Sequence, residues 1–314
     1  MKKILTAMLS GLMAVSMFAS CSGGGSGSST PASSGSSGGS ETSVSASESA
    51  SAEESASESS SEELSGERLN DILDAGVITL VTSPDFAPLE FEDISSGETV
   101  YAGSDIELAK YIADYLGVEL EIQAMDFQAC QAAIATGQAD MMISGCAPTE
   151  ERRRTMELSD PYNTSSDDGQ LLIVPLDMVS TYNSAESFAG KTIACQNGSL
   201  QYNLTSEQLP DAEIQIIGSL GDGVLMVDNG RVDAMACSGD TAKMYVENYP
   251  DLGIAEWQFD YTSEGNVVLC QKGETALMAE INAAIAEVVD QGLYDTWRED
   301  ATELERSLGL EAKE

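Results

Sequence analysis

From residue 67 onward the chain predicts an α/β fold of two sheet-based lobes with a ligand cleft between them. Three observations predict it. Short apolar runs alternate with amphipathic stretches at helical spacing, the pattern of parallel strands joined by crossover helices. The same rhythm stops and resumes later in the chain. The segment is about 248 residues long, for which two half-size cores are more natural than one very large sheet.

Val77 to Thr82 reads as a strand that runs into the turn-rich Ser83-Pro84-Asp85. Ile106, Leu108, Ala109, Ile112, Ala113 and Leu116 recur at helical spacing, with Asp105 placed to cap and Gly117 to stop. Val118 to Ile122 alternates as a strand, Phe127 to Thr136 is helical up to Gly137, and Met141-Met142-Ile143 is a buried strand. The rhythm resumes with strands at Thr192 to Ala194 and Ile214 to Ile217, a helix ending near Gly230 and a strand from Val232 to Cys237. A long helix from Thr275 to Gln291 follows, with another from Leu293 onward. In such folds ligands gather at the carboxyl ends of the strands.

Those strand ends hold the informative residues. The strand at Met141 leads through Ser144-Gly145-Cys146-Ala147-Pro148 into Thr149-Glu150-Glu151-Arg152. Thr149 is a good N-cap, and two glutamates suit the positive end of a helix. Arg152 does not, since a cation in the first turn costs roughly 0.3–1 kcal/mol unless an anion compensates. Its guanidinium offers a planar fork for a carboxylate. A surface run Arg152-Arg153-Arg154 paired with neighbouring acids fits the spacing equally. Phe86, after the first strand, is placed either to cover a small ligand or to fill the core. Asn197-Gly198-Ser199 leads toward a helix, where free N–H groups and a hydroxyl suit an anion; a plain turn is the alternative.

The chain opens differently. Lys2 and Lys3 precede an apolar stretch from Ile4 to Phe18, then Ala19-Ser20-Cys21, which reads as an export signal over residues 1–20. Phe18-Ala19-Ser20-Cys21 resembles the lipobox of bacterial lipoproteins, in which the cysteine carries the lipid. An ordinary signal peptide with a stray cysteine is the alternative. Residues 21–66 are nearly all Ser, Gly, Ala and Glu, with too little to bury to offset the entropy of ordering. They predict a disordered tether with a root-mean-square reach of roughly 35–40 Å. The expected location is the outer face of the cell membrane, anchored by lipid and not spanning.

Residues 68–314 hold 12 basic and 45 acidic side chains, a formal charge of −33. So acidic a surface repels nucleic acid and anionic lipid. The chain has no histidine, which removes Ser-His-Asp and Cys-His catalysis and His-ligated zinc. Cys130, Cys146, Cys195, Cys237 and Cys270 show no CxxC spacing, which speaks against structural zinc and thioredoxin chemistry. Small buried hydrophobes are the simplest role for these thiols. No cofactor is expected.

From about Ile72 to Leu308 the chain resembles the solute-binding lipoproteins of polar amino-acid ABC importers (extracellular solute-binding protein family 3). The resemblance rests on six segments in order. They are Gly103 to Ala113; Thr149 to Arg152 with Ser159-Asp160-Pro161-Tyr162; Gly190-Lys191-Thr192-Ile193; Asn197-Gly198-Ser199; Gly230 to Ala234; and Gly292 to Trp297. It implies a type II periplasmic-binding-protein-like architecture, with residues 67–165 plus 265–314 as lobe 1 and 166–264 as lobe 2. Hinges would lie near 165–168 and 262–265. It further implies that Arg152 grips an α-carboxylate, helped by the backbone around Gly145 and by Ser199, while Phe86 stacks on the ligand and Ser144 and Glu90 stand nearby.

Three departures stand out. Ser104 replaces a bulky residue, Ala147 replaces a hydroxyl, and Ser238 replaces the aspartate that holds the ligand's ammonium, with Asp240 two residues on. The function implied is capture of a small carboxylate-bearing solute, most simply an amino acid, by a monomer that delivers it to a membrane permease and its ATPase. A dehydratase-like enzyme on the same fold and a sensory ligand-binding module are the alternatives.

Overall fold

The computed structural model describes residues 66–163 and 169–308. The signal, lipidation and tether expectations, including Cys21, and the first hinge segment at 165–168 lie outside the described residues.

The chain begins with α1 (Glu67–Ala75), β1 (Val77–Thr82) and a small hairpin sheet of β2 (Asp85–Phe86), β3 (Glu90–Asp93) and β4 (Val100–Ala102). Next come α2 (Ser104–Leu116), β5 (Glu119–Ala124), α3 (Phe127–Ala135), β6 (Met141–Met142), α4 (Glu150–Thr155) and β7 (Met156–Leu158). A second run holds β8 (Gln170–Pro175), β9 (Thr192–Gln196), α5 (Leu200–Gln208), β10 (Glu213–Ile217), α6 (Leu220–Asp228), β11 (Ala234–Ser238), α7 (Gly239–Asn248) and β12 (Leu252–Ile254). The chain then returns with β13 (Leu269–Gln271), α8 (Thr275–Gln291) and α9 (Leu293–Leu308).

Two five-stranded sheets result, ordered β5-β1-β6-β13-β7 and β10-β9-β11-β8-β12. Each is mixed rather than purely parallel as the alternating rhythm predicted. In the first sheet β13 runs antiparallel to β6 and β7, and in the second β8 runs antiparallel to β11 and β12. Both reversals fall where the chain enters or re-enters a sheet without a preceding crossover helix, a condition that parallel pairing needs. The two passages between sheets run side by side, since Asn163 and Asn266 form an antiparallel bridge.

The first core gathers Ile78, Leu80, Ile106, Ile112 and Ile281 between sheet, α2 and α8, and the second packs Ile173, Val224, Met235 and Ala242 beneath α6 and α7. Each large aliphatic side chain so buried contributes about 1.5–3 kcal/mol. All five cysteines of the folded part are free and buried, in keeping with their reading as small hydrophobes.

One expected cap is corrected. Asp105 is the second residue of α2 rather than its cap, and its carboxyl is fully buried. The N-cap is Gly103, at φ 126°, where an added Cβ would sit 2.0 Å from the Leu89 carbonyl oxygen. Only glycine tolerates that approach. Asp105 instead accepts hydrogen bonds from Tyr294 Oη (2.6 Å), the Gly145 amide (2.8 Å) and Tyr162 Oη (2.9 Å). The Ser104 hydroxyl donates to Tyr294 Oη at 3.0 Å and so joins the same buried group.

Candidate ligand-binding site

All eight predicted ligand residues (Phe86, Glu90, Ser144, Gly145, Arg152, Ser199, Ser238 and Asp240) line one cleft between the two sheets' carboxyl ends. They come from separate elements. Phe86 ends β2, Glu90 opens β3, Ser144 and Gly145 follow β6, Arg152 sits in α4, Ser199 caps α5 and Ser238 caps α7.

Arg152 is the pivotal group. Thr149 caps its helix, accepting from the Arg152 amide at 3.3 Å. The side chain is only 3% exposed. Its guanidinium lies 5.3 Å from the centre of the Phe127 ring, a cation–π contact of about 0.5–2 kcal/mol. One terminal nitrogen donates to the Ala147 carbonyl (2.7 Å) and the other to the Gly198 carbonyl (3.1 Å). Nε has no hydrogen-bond partner, and among the described residues no carboxylate pairs with the guanidinium. A buried cation without an anion is costly, so the cleft wants a negative ligand here. Arg153 and Arg154 are exposed, and Arg153 pairs with Glu264 at 2.7 Å. The two readings of the arginine run thus separate by residue.

Gly145 shapes the loop that follows β6. Its own amide donates to Asp105. Its contribution is the missing side chain: at φ 55°, a Cβ would lie 2.4 Å from the Phe86 ring. Phe86 is thereby seated over the loop, in contact with the apolar clusters of both lobes.

Glu90 is wholly buried. Its Oε1 accepts from Ser144 Oγ at 2.7 Å, and Oε2 has no partner. Burial first, then the nearby Asp105 charge, push its carboxyl well above the ordinary range, against the lowering effect of Ser144. Burial also pushes Asp105 up, against the hydrogen bonds from Tyr294, Gly145 and Tyr162.

The lobe-2 wall is less open than expected. The Ser199 hydroxyl accepts from the Tyr202 amide at 3.0 Å, which leaves its own proton to donate. Ser238 is occupied by the Thr241 amide (3.3 Å) and hydroxyl (2.8 Å). Asp240, which also lines the cleft, is paired with Arg298 of α9. Sequence reasoning missed Asp85, Phe127, Gln196, Tyr261 and Arg298, which also line the cleft. Two had a local signal: Asp85, in the turn that ends the first strand, and Phe127, the first residue of a predicted helix.

Residues 78–300 match the model of the bacterial extracellular solute-binding proteins, family 3. The chain is 29% identical over 214 residues to the arginine-binding extracellular protein ArtP of Bacillus subtilis, covering 67% of this chain and 80% of that protein. It is 31% identical over 216 residues to a probable histidine-binding protein of Campylobacter jejuni, covering 68% and 80%. Among solved structures, the amino acid ABC transporter substrate-binding protein AbpA from Streptococcus pneumoniae, bound to L-arginine, superposes with a TM-score of 0.69. That pair is 34% identical, over 74% of this chain and 98% of the other. The family match and the relatives named as amino-acid-binding proteins mark a binding protein rather than an enzyme. The chain belongs to the bacterial extracellular solute-binding proteins, family 3, which places it outside the cytoplasm.

Proposed function

We propose that this protein captures an amino acid with a cationic side chain, most simply L-arginine, for an ABC importer. The observation that carries the reading is Arg152, a buried guanidinium with an unpartnered Nε and no carboxylate among the described residues. The ligand's α-carboxylate supplies that anion, with Ser199 donating from the opposite wall. Phe86 covers the side chain. Glu90 Oε2, buried and unpartnered, receives the cationic end. The names of the similar proteins support the same ligand class.

Residues 67–165 plus 265–314 form lobe 1 and 166–264 lobe 2, which agrees with the membership of the two sheets. A hinge near 262–265 lets the lobes close on the ligand. The monomer hands it to a permease served by an ATPase. Titration calorimetry of the protein against L-arginine, L-glutamine and succinate tests the assignment. Tight binding of L-arginine alone is expected, and binding of succinate in preference to L-arginine refutes the cationic ligand.

Cys21 carries a lipid, residues 21–66 tether the domain, and residues 1–20 are the signal that directs both. Among the described residues no helix is long and apolar enough to cross a membrane. If that lipid is the anchor, Cys21→Ser should release the protein from the membrane fraction with unchanged ligand affinity, read by fractionating cells after a high-salt wash. Retention of the variant in the membrane fraction counts against the anchor.

A further inference from the structure

We infer that Asp85 is a closure residue, a lobe-1 carboxylate that caps a lobe-2 helix across the cleft and so sets how long a captured solute is held. The inference rests on the solute-binding reading above, but on different atoms. Asp85 opens β2 beside Phe86. Its Oδ2 accepts from the Leu220 amide at 2.8 Å and from Gln196 Nε2 at 3.3 Å, while Oδ1 accepts from Ser83 Oγ at 3.1 Å. Ser83 belongs to the same lobe; Leu220 and Gln196 belong to the other, at the start of α6 and the end of β9.

Leu220 is the first residue of α6, so its amide has no partner within the helix. The helix's own cap, Ser219, serves a different donor, the Asp222 amide at 3.2 Å. The N-terminal donors of α6 are thus shared between a cap of its own lobe and a carboxylate from the other. The positive end of the helix adds attraction for that carboxylate.

Burial pushes the Asp85 carboxyl above its ordinary value, and the bonds from Leu220, Ser83 and Gln196 work against this. That balance exists only while the lobes touch. When they part, Asp85, Leu220 and Gln196 all return to water, and the cross-lobe bonds are replaced by hydration. With both oxygens engaged by protein donors, Asp85 acts on closure rather than by gripping the solute. Its effect therefore falls on escape from the closed state, not on encounter with the open one.

The test compares wild type with Asp85→Ala and Asp85→Asn, using L-arginine as probe. Stopped-flow kinetics give association and dissociation rates, and hydrogen exchange reports the Leu220 amide. Asp85→Ala should dissociate L-arginine about tenfold faster or more, with association within about twofold of wild type. It should also lose protection at Leu220 while the rest of α6 keeps its own. Asp85→Asn retains an acceptor oxygen for the Leu220 amide and should recover most of both effects. A wild-type dissociation rate in Asp85→Ala overturns the inference. So does equal acceleration in both variants, which assigns the effect to charge and not to capping. If wild type does not bind L-arginine, the ligand assignment fails by itself. Closure is then read on the ligand-free protein, where Leu220 protection lost in Asp85→Ala and kept in Asp85→Asn supports the latch, and identical exchange in all three overturns it.

Discussion

Arg152→Ala is expected to weaken amino-acid binding by about thirtyfold to several thousandfold. Truncating one partner of a buried charge pair costs roughly 2–5 kcal/mol, and each ~1.4 kcal/mol is a decade in Kd near room temperature. The structure sharpens the expectation, because the same side chain holds the Ala147 and Gly198 carbonyls and so joins the two walls of the cleft. Arg152→Lys should recover little. A compact ammonium cannot span both carbonyls and still present a planar fork to a carboxylate. Arg153→Ala and Arg154→Ala are the controls. Both residues are exposed, and the Arg153–Glu264 pair lies at the surface, where such pairs are worth at most about 1 kcal/mol. Calorimetry on the four variants decides the matter, with ligand-free melting temperatures as the check on folding. Equal modest losses at all three arginines would point to general electrostatics and remove Arg152 from the site.

The parts of this molecule legible in its sequence are those with local causes. The helix from Thr275 to Gln291 begins and ends where its apolar spacing and Gly292 say it should. Thr149 caps α4 as expected because capping acts over three residues. Arg152 could be singled out since a cation near a helix start is a local misfit that needs an explanation. The hairpin β2–β4 was not visible, as strands of two to four residues carry too little alternation to read. The direction of β8 and β13 depends on where the chain re-enters each sheet, which periodicity does not encode.

Least legible were the partners of buried acids. Asp105 looked like a cap, yet its donors Tyr162 and Tyr294 lie 57 and 189 positions away. The Asp85–Leu220 bond spans 135 positions, and the pairing of Asp240 with Arg298 spans 58. Such contacts are settled by the tertiary fold alone. They decide which polar groups of the cleft remain free for a ligand, and this is why the site could be located from sequence but its wiring could not.

Binding of L-arginine is expected to tighten as pH rises and to release a proton from Glu90. In the free protein burial, Asp105, the Cys146 thiol and Asp85 all push the Glu90 carboxyl up, and only the Ser144 bond opposes them. Glu90 therefore keeps its proton above the pH at which an ordinary glutamate has lost it. A guanidinium at Oε2 favours the ionised form, so below the raised value the ligand must first expel a proton. Affinity should climb by up to about tenfold per pH unit there and level off above it. The stability of the ligand-free protein runs the other way. Because the folded state holds the proton more tightly than the unfolded state, stability is fully present below the ordinary glutamate range and is lost as pH rises toward the raised value. Glu90→Gln preserves the acceptor for Ser144 and removes the charge. It should bind L-arginine more weakly above the raised value, with the pH slope abolished, and should melt higher than wild type without ligand in that range. Calorimetry in buffers of different ionisation enthalpy counts the released proton directly. A flat affinity profile in wild type, or the same slope in Glu90→Gln, would show that Glu90 does not meet the ligand's cation.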